Sequence, residues 1–305
     1  MASRALAKQD SVRLATALCD LRSPLEASYR STIYCTTHVE QDEDGCLRTH
    51  YCGQRWCKVC NRIRTAQLID RYRPAIDSWA APAFVTLTVK RLERNGSPAE
   101  EEEALAARLD ALLDAFNRAK RSVRRTAGIA FQAVRKLEVT TDVVKGYHAH
   151  YHLLVDSMEA GEALIAAWLK FAPKVGLVAE RGGQDVRRAT EGSTVELFKY
   201  FTKLPSKPCP STLIMLDVSM RAMRRRRVVQ PVGVEVEGAE AAEEVDPTTA
   251  TVQAWDRKGE AIMWEWDDDV ADWVDRETGQ MLVCYTPSDV EPVGFVLDSM
   301  CSNPP

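Results

Sequence analysis

Long apolar runs are missing from this 305-residue chain. No stretch approaches the roughly 20 residues a membrane-spanning helix needs, and the first residues lack a signal-peptide pattern. A cytosolic, reducing compartment with no membrane partner is therefore expected, where nine cysteines point to metal sites before disulfides. A strong net charge is also lacking: the total is −4. That small value hides an asymmetry, because residues 231–305 carry 18 acidic and 3 basic side chains, which leaves 37 basic and 26 acidic ones in residues 1–230. A basic body with a net of +11 and an acidic end of −15 fit a polyanionic partner for the body.

Histidine is scarce, yet three of the five sit at every second position in Gly146-Tyr147-His148-Ala149-His150-Tyr151-His152-Leu153-Leu154-Val155-Asp156. In a strand that spacing puts three imidazoles on one face, with Tyr147, Ala149, Tyr151 and Leu153 on the other. Same-face neighbours are roughly 6.6 Å apart at Cα, so His148 and His152 are about 13 Å apart. Ligand nitrogens must come within about 2.1 Å of a metal ion, which an adjacent pair can do and all three on one straight strand cannot do comfortably. His150 belongs to either adjacent pair. The third ligand should come from another element. Residues 129–140 read as a preceding strand that forms an antiparallel hairpin with 146–156 through Asp142–Lys145. Glu138, near its turn end, is the carboxylate placed to reach across.

Residues 35–60 hold Cys35, Cys46, Cys52, Cys57 and Cys60. The C-x₂-C step of Cys57 and Cys60, with Cys52 five residues earlier, supplies three thiolates of a tetrahedral zinc site. Cys35, which ends the strand-like run Ser31–Tyr34, is favoured over Cys46 as the fourth. Such a closed site is structural and stabilises a segment too small for its own core. Arg55, Lys58, Arg62 and Arg64 surround the knuckle and are candidate nucleic-acid contacts.

The rest of the chain alternates helices and strands. Ala2–Leu21 reads as an amphipathic helix, Asn61–Tyr72 as a basic one, and Ala83–Val89 as a strand. A helix capped by Ser97 runs to about Arg125, with Leu105, Leu109, Leu112, Leu113 and Phe116 on one stripe. Glu159–Phe171 is a further helix, and residues 182–189 are irregular with a short edge strand. Ser193–Leu204, stopped by Pro205, is helical with Glu196, Tyr200 and Lys203 on one face. Arg224, Arg225, Arg226 and Arg227 close the basic body. Residues 236–250 read as a linker, and beyond it Trp255, Trp264, Trp266 and Trp273 alternate with acids in short hairpins or a poorly ordered appendage.

Taken in order, Phe84-Val85-Thr86-Leu87-Thr88, His148-Ala149-His150-Tyr151-His152-Leu153-Leu154-Val155 and Glu196-Leu197-Phe198-Lys199-Tyr200-Phe201-Thr202-Lys203 resemble the three motifs of rolling-circle replication initiators of small plasmids and phages, within the HUH endonuclease superfamily. The resemblance covers roughly residues 30–230, and the Cys52/Cys57/Cys60 knuckle occurs in the same plasmid group. It selects His150 and His152 as the metal pair with Glu138, and leaves His148 as a further candidate. It implies that Tyr200 attacks single-stranded or hairpin origin DNA to give a 5′-phosphotyrosine, aided by Mn²⁺ or Mg²⁺. Glu196 would activate water at termination, and Lys203 and Lys199 would assist the tyrosine or bind phosphate. A host helicase and polymerase would be further partners, in the cytosol of a bacterial host.

The expectation is an α+β protein: a zinc-binding module (1–75), a catalytic domain with a central antiparallel sheet and packed helices (76–230), and an acidic tryptophan-containing region (231–305). A transposase or mobilisation relaxase would use the same catalytic residues. A zinc-stabilised DNA-binding regulator without catalysis would use the histidines as a second structural site.

Overall fold

The ten-residue strands β4 (Ala133–Asp142) and β5 (Gly146–Val155) form the antiparallel hairpin on which the larger part of the molecule is built. The Asp142 carboxylate accepts hydrogen bonds from the backbone N–H groups of Val144 and Lys145 at 3.0 and 2.9 Å and so closes the turn. Gly146 follows at φ +79°, and a Cβ there would meet the Leu92 carbonyl oxygen at 2.1 Å. Only glycine satisfies both conditions.

The computed structural model describes residues 2–41, 43, 47–190, 192–198, 209–234 and 262–283. Besides the hairpin, these form α1 (Ala2–Cys19), α2 (Glu26–Ile33), β1 (His38–Gln41), β2 (Leu47–Thr49), α3 (Lys58–Asp77), β3 (Ala83–Thr88), α4 (Pro98–Thr126), α5 (Met158–Phe171), β6 (Asp185–Arg188), α6 (Ser193–Phe198), α7 (Pro210–Ala222), β7 (Val229–Val232), β8 (Ile262–Asp267) and β9 (Asp272–Asp275). The class is α+β, as expected, with two antiparallel sheets. Among the described residues no helix is long and apolar enough to cross a membrane.

The chain divides into two compact units. The larger contains a five-stranded sheet in the order β6-β3-β5-β4-β7. One face buries Tyr147, Ala149, Tyr151 and Leu153. There Tyr151 meets Phe116 of α4 and Trp168 of α5, with ring centroids 5.5 and 6.3 Å away. The α4 stripe is buried at Leu105, Leu109, Leu112 and Phe116, whereas Leu113, expected on it, is exposed. Leu113 lies one position past the 3.6-residue repeat that faces the sheet, so helix geometry overrides its apolarity. Ser97 and Glu100 form a capping box at the N-terminus of α4.

The opposite face carries the histidines. Beyond them, Phe84, Val134 and Leu154 on the sheet pack with Leu68, Tyr72 and Ile76 of α3, Leu197 and Phe198 of α6, and Val228. This cluster seats α6 on the face that bears the imidazoles, and Phe198 stacks on Tyr72 at 5.7 Å.

The smaller unit joins α1, α2 and the start of α3 to a four-stranded sheet in the order β2-β1-β8-β9. Val39 packs there with Ala5, Trp264, Trp266, Ala271 and Trp273. Residues 262–283 of the acidic region thus form a hairpin paired to β1, with Trp273 Nε1 donating to the Thr36 carbonyl at 2.6 Å, whereas Pro231 and Val232 belong to β7 of the larger sheet. The run Ser31–Tyr34, expected as a strand, ends α2 instead. Three β-favouring residues, Thr32, Ile33 and Tyr34, are too few to override a helix that buries Tyr29 and Thr32 on one side.

Candidate active site

The hairpin register pairs Glu138 with His150, Lys136 with His152 and Thr140 with His148, while β3 sets Thr86 opposite His152 and Thr88 opposite His150. All of these side chains therefore share one face. The ligand atoms of Glu138, His150 and His152 lie within 4.8 Å of one another. The two Nε2 atoms are 3.1 Å apart, close to the roughly 3.0 Å separating cis ligands on bonds of about 2.1 Å. Glu138 Oε1 is 4.0 Å from His150 Nε2, and Oε2 is 3.9 Å from His152 Nε2.

The outer ring nitrogens are engaged. His150 Nδ1 lies 3.2 Å from the His148 carbonyl oxygen and His152 Nδ1 lies 3.2 Å from Thr86 Oγ1. A partner on Nδ1 fixes the ring and turns the Nε2 lone pair inwards, as metal-ligating histidines require. Burial holds His150 down at about 4, so it is neutral and available near pH 7. His152 is lowered too, by burial first, with Glu138 opposing. Burial pushes the Glu138 carboxyl up, but Lys136 and the two histidines outweigh it and leave it below its ordinary value. Two nitrogens and a carboxylate can hold a divalent ion.

His148 lies outside this group. Its Nε2 is 2.5 Å from Thr88 Oγ1, its ring stacks on His150 at 4.8 Å, and burial first of all holds it down at about 4. Gln184 in turn clamps Thr88, accepting from its N–H at 2.8 Å and donating to its carbonyl at 3.1 Å.

Glu196 projects from α6, whose neighbouring Leu197 and Phe198 are buried. Its carboxylate accepts from Arg187 Nη2 through both oxygens, at 2.9 and 2.8 Å. Tyr200, Lys199 and Lys203 lie outside the described residues.

In the smaller unit, Cys35, Cys52, Cys57 and Cys60 come together, all buried. Their sulfurs are 3.6 Å (Cys35–Cys60), 3.6 Å (Cys52–Cys60) and 3.7 Å (Cys35–Cys57) apart. Four thiolates on tetrahedral zinc, with bonds of about 2.3 Å, stand about 3.8 Å apart. The cluster has those dimensions. Hydrogen bonds from Cys35, Cys52 and Cys60 hold the Cys57 thiol well below its ordinary range, whereas hydrogen bonds with Cys52, Cys57 and Cys60 push the Cys35 thiol up, so Cys57 is the member that ionises first. Lys8, fully buried, donates to the Ile33 carbonyl at 2.5 Å, and burial pushes its ammonium below its ordinary value, with Cys35, Cys57 and Cys52 opposing. Cys46 lies outside the described residues.

The basic candidates divide. Arg55 is buried, Lys58 is ion-paired with Asp10 at 2.7 Å, and Arg226 is ion-paired with Asp110. Arg62, Arg224, Arg225 and Arg227 are exposed, and Arg64 is half-buried. Sequence reasoning missed Arg187, Lys136 and Thr86. Lys136 and Thr86 share strand parity with recognised residues and could have been found by it. Arg187 carries no local signal, since its place depends on the pairing of β6 with β3.

Residues 46–159 match the family model described as replication protein. The matched stretch holds Cys52, Cys57, Cys60, Glu138, His150 and His152. No curated protein and no solved structure matches the chain.

Proposed function

We propose that this protein, with a replication-protein match over residues 46–159, nicks and rejoins single-stranded origin DNA to initiate and terminate rolling-circle replication. The observation that carries the reading is the Glu138–His150–His152 group, built on a rigid hairpin inside the matched stretch. These three residues hold Mn²⁺ or Mg²⁺, which suits mixed nitrogen and oxygen ligands that leave positions open. When bound, the ion polarises the scissile phosphate and stabilises the charge developing on it. The Tyr200 phenolate oxygen attacks phosphorus, the bond to the 3′ oxygen breaks, and that oxygen takes up a proton to become the primer hydroxyl. Lys203 and Lys199 favour the phenolate or bind a neighbouring phosphate. At termination Glu196 takes the proton of a water that attacks the phosphotyrosine.

Zinc at Cys35, Cys52, Cys57 and Cys60 is structural in this reading, because four thiolates leave no open position. Arg62, Arg64, Arg224, Arg225 and Arg227 contact the DNA backbone, which makes binding strongly salt-dependent.

The test is to incubate the protein with origin-containing single-stranded DNA and Mn²⁺ and look for an adduct that survives denaturation. Wild type should give one and Tyr200→Phe none. DNA binding without any adduct would favour the non-catalytic regulator, and an adduct from Tyr200→Phe would remove Tyr200 from the mechanism.

A further inference from the structure

On the histidine face of the larger sheet, the basic side chain of Arg187 joins the edge strand β6 to α6. The pairing of β6 with β3 sets Arg187 opposite Phe84 and Asp185 opposite Thr86, and Thr86 is itself opposite His152. Three contacts fix the guanidinium. It lies over the Phe84 ring at 4.4 Å from the centroid, Nη1 donates to Asp185 Oδ2 at 3.1 Å, and Nη2 donates to both carboxylate oxygens of Glu196. Phe84 is buried in the same cluster as Leu197 and Phe198, the residues that follow Glu196.

An arginine–glutamate pair exposed to water usually holds neither partner in place. Here both partners stand on buried neighbours, and a planar guanidinium stacked on an aromatic ring has little rotational freedom left. The pair is also close to the metal group. The Phe84 and His152 rings are 5.5 Å apart, and Glu196 and Arg187 both act on His152 electrostatically, in opposite senses.

The geometry points to Arg187 as the positioning residue for Glu196, holding its carboxylate oriented at the edge of the metal group for the hydrolytic step. This rests on the nicking reading above. In that step a water oxygen bonds to phosphorus, the bond from phosphorus to the tyrosine oxygen breaks, and the water proton passes to Glu196. A carboxylate that swung freely would do this poorly, since general-base catalysis depends on reach before basicity. Arg187 need not touch the DNA.

The full-length protein, origin oligonucleotide and Mn²⁺ test this in one assay that times adduct formation and adduct release separately. Arg187→Gln should slow release roughly tenfold or more beyond any effect on formation, within the range general bases supply. Arg187→Lys should recover part of the loss. Combining Arg187→Gln with Glu196→Gln should be no slower than Glu196→Gln alone, because residues acting through one step do not add. Release at the wild-type rate, equal slowing of both steps, or multiplicative losses in the double variant would each overturn the positioning role while leaving nicking intact. Absence of an adduct from wild type would instead remove the nicking reading, and this inference with it.

Discussion

His150 is the most buried of the three histidines, and its Nε2 faces both His152 and Glu138. His150→Ala should therefore lower Mn²⁺ affinity roughly 100-fold and remove metal-dependent cleavage, while circular dichroism and calorimetry show a folded protein. Lys136 has the opposite influence. Its ammonium, fully buried, lies 3.4 Å from Glu138 Oε2 and offsets the charge an incoming cation would meet. Lys136→Met removes that competition and leaves Glu138 buried with less compensation until metal arrives. Mn²⁺ should then bind about tenfold more tightly by titration calorimetry, equivalent to about 1.4 kcal/mol, and an unchanged or weaker affinity would dismiss the effect. The histidine pair and Glu138 were legible in the sequence because a period of two and a short turn suffice to place them on facing strands. Arg187 was not legible, since no local pattern reports which strand an edge strand joins. The buried state of Arg55 was hidden for a related reason: a charge near a metal knuckle reads the same whether it faces solvent or the core.

Among the elements, α6 is short and depends on its packing. Phe198 is fully buried and stacked on Tyr72, so Phe198→Ala should cost about 3–5 kcal/mol in urea unfolding. Because that side chain also seats Glu196 over the histidine face, adduct release should fall even where the protein remains folded. The cap of α4 gives a contrast. Ser97→Ala should cost only about 1 kcal/mol and leave cleavage as it is, since the cap lies apart from the metal group. The long elements α4, β3, β4, β5 and α5 could be read from the sequence because caps, turn chemistry and periodicity agree along each of them. The strands β1, β2 and β7, of three or four residues, could not, because so short a strand is defined by its partner more than by its own propensity. The run Ser31–Tyr34 misled for the same reason.

For the whole molecule, the Cys35–Cys52–Cys57–Cys60 cluster and its core belong to the smaller unit, and the histidine face belongs to the larger. Removing metal with a thiol-compatible chelator should unfold the smaller unit, because binding free energy at such a site is folding free energy. Calorimetry should then lose one of two transitions, and amide exchange should keep the protection of β4 and β5. A single transition that disappears entirely would show that the units do not unfold separately. The charge asymmetry announced a basic body and an acidic end, yet composition could not reveal that Trp264, Trp266 and Trp273 complete the sheet begun by β1, since pairing between distant segments leaves no compositional trace. That pairing has a consequence for synthesis on the ribosome. Strand β1 waits for a partner that follows about 220 residues later, roughly 10 to 40 seconds at ordinary elongation rates. Meanwhile the four cysteines have already emerged and can take their ion. Metal loading at this cluster could thus precede sheet completion, and through that interval β1 would present an open edge that a nascent-chain chaperone would have reason to cover.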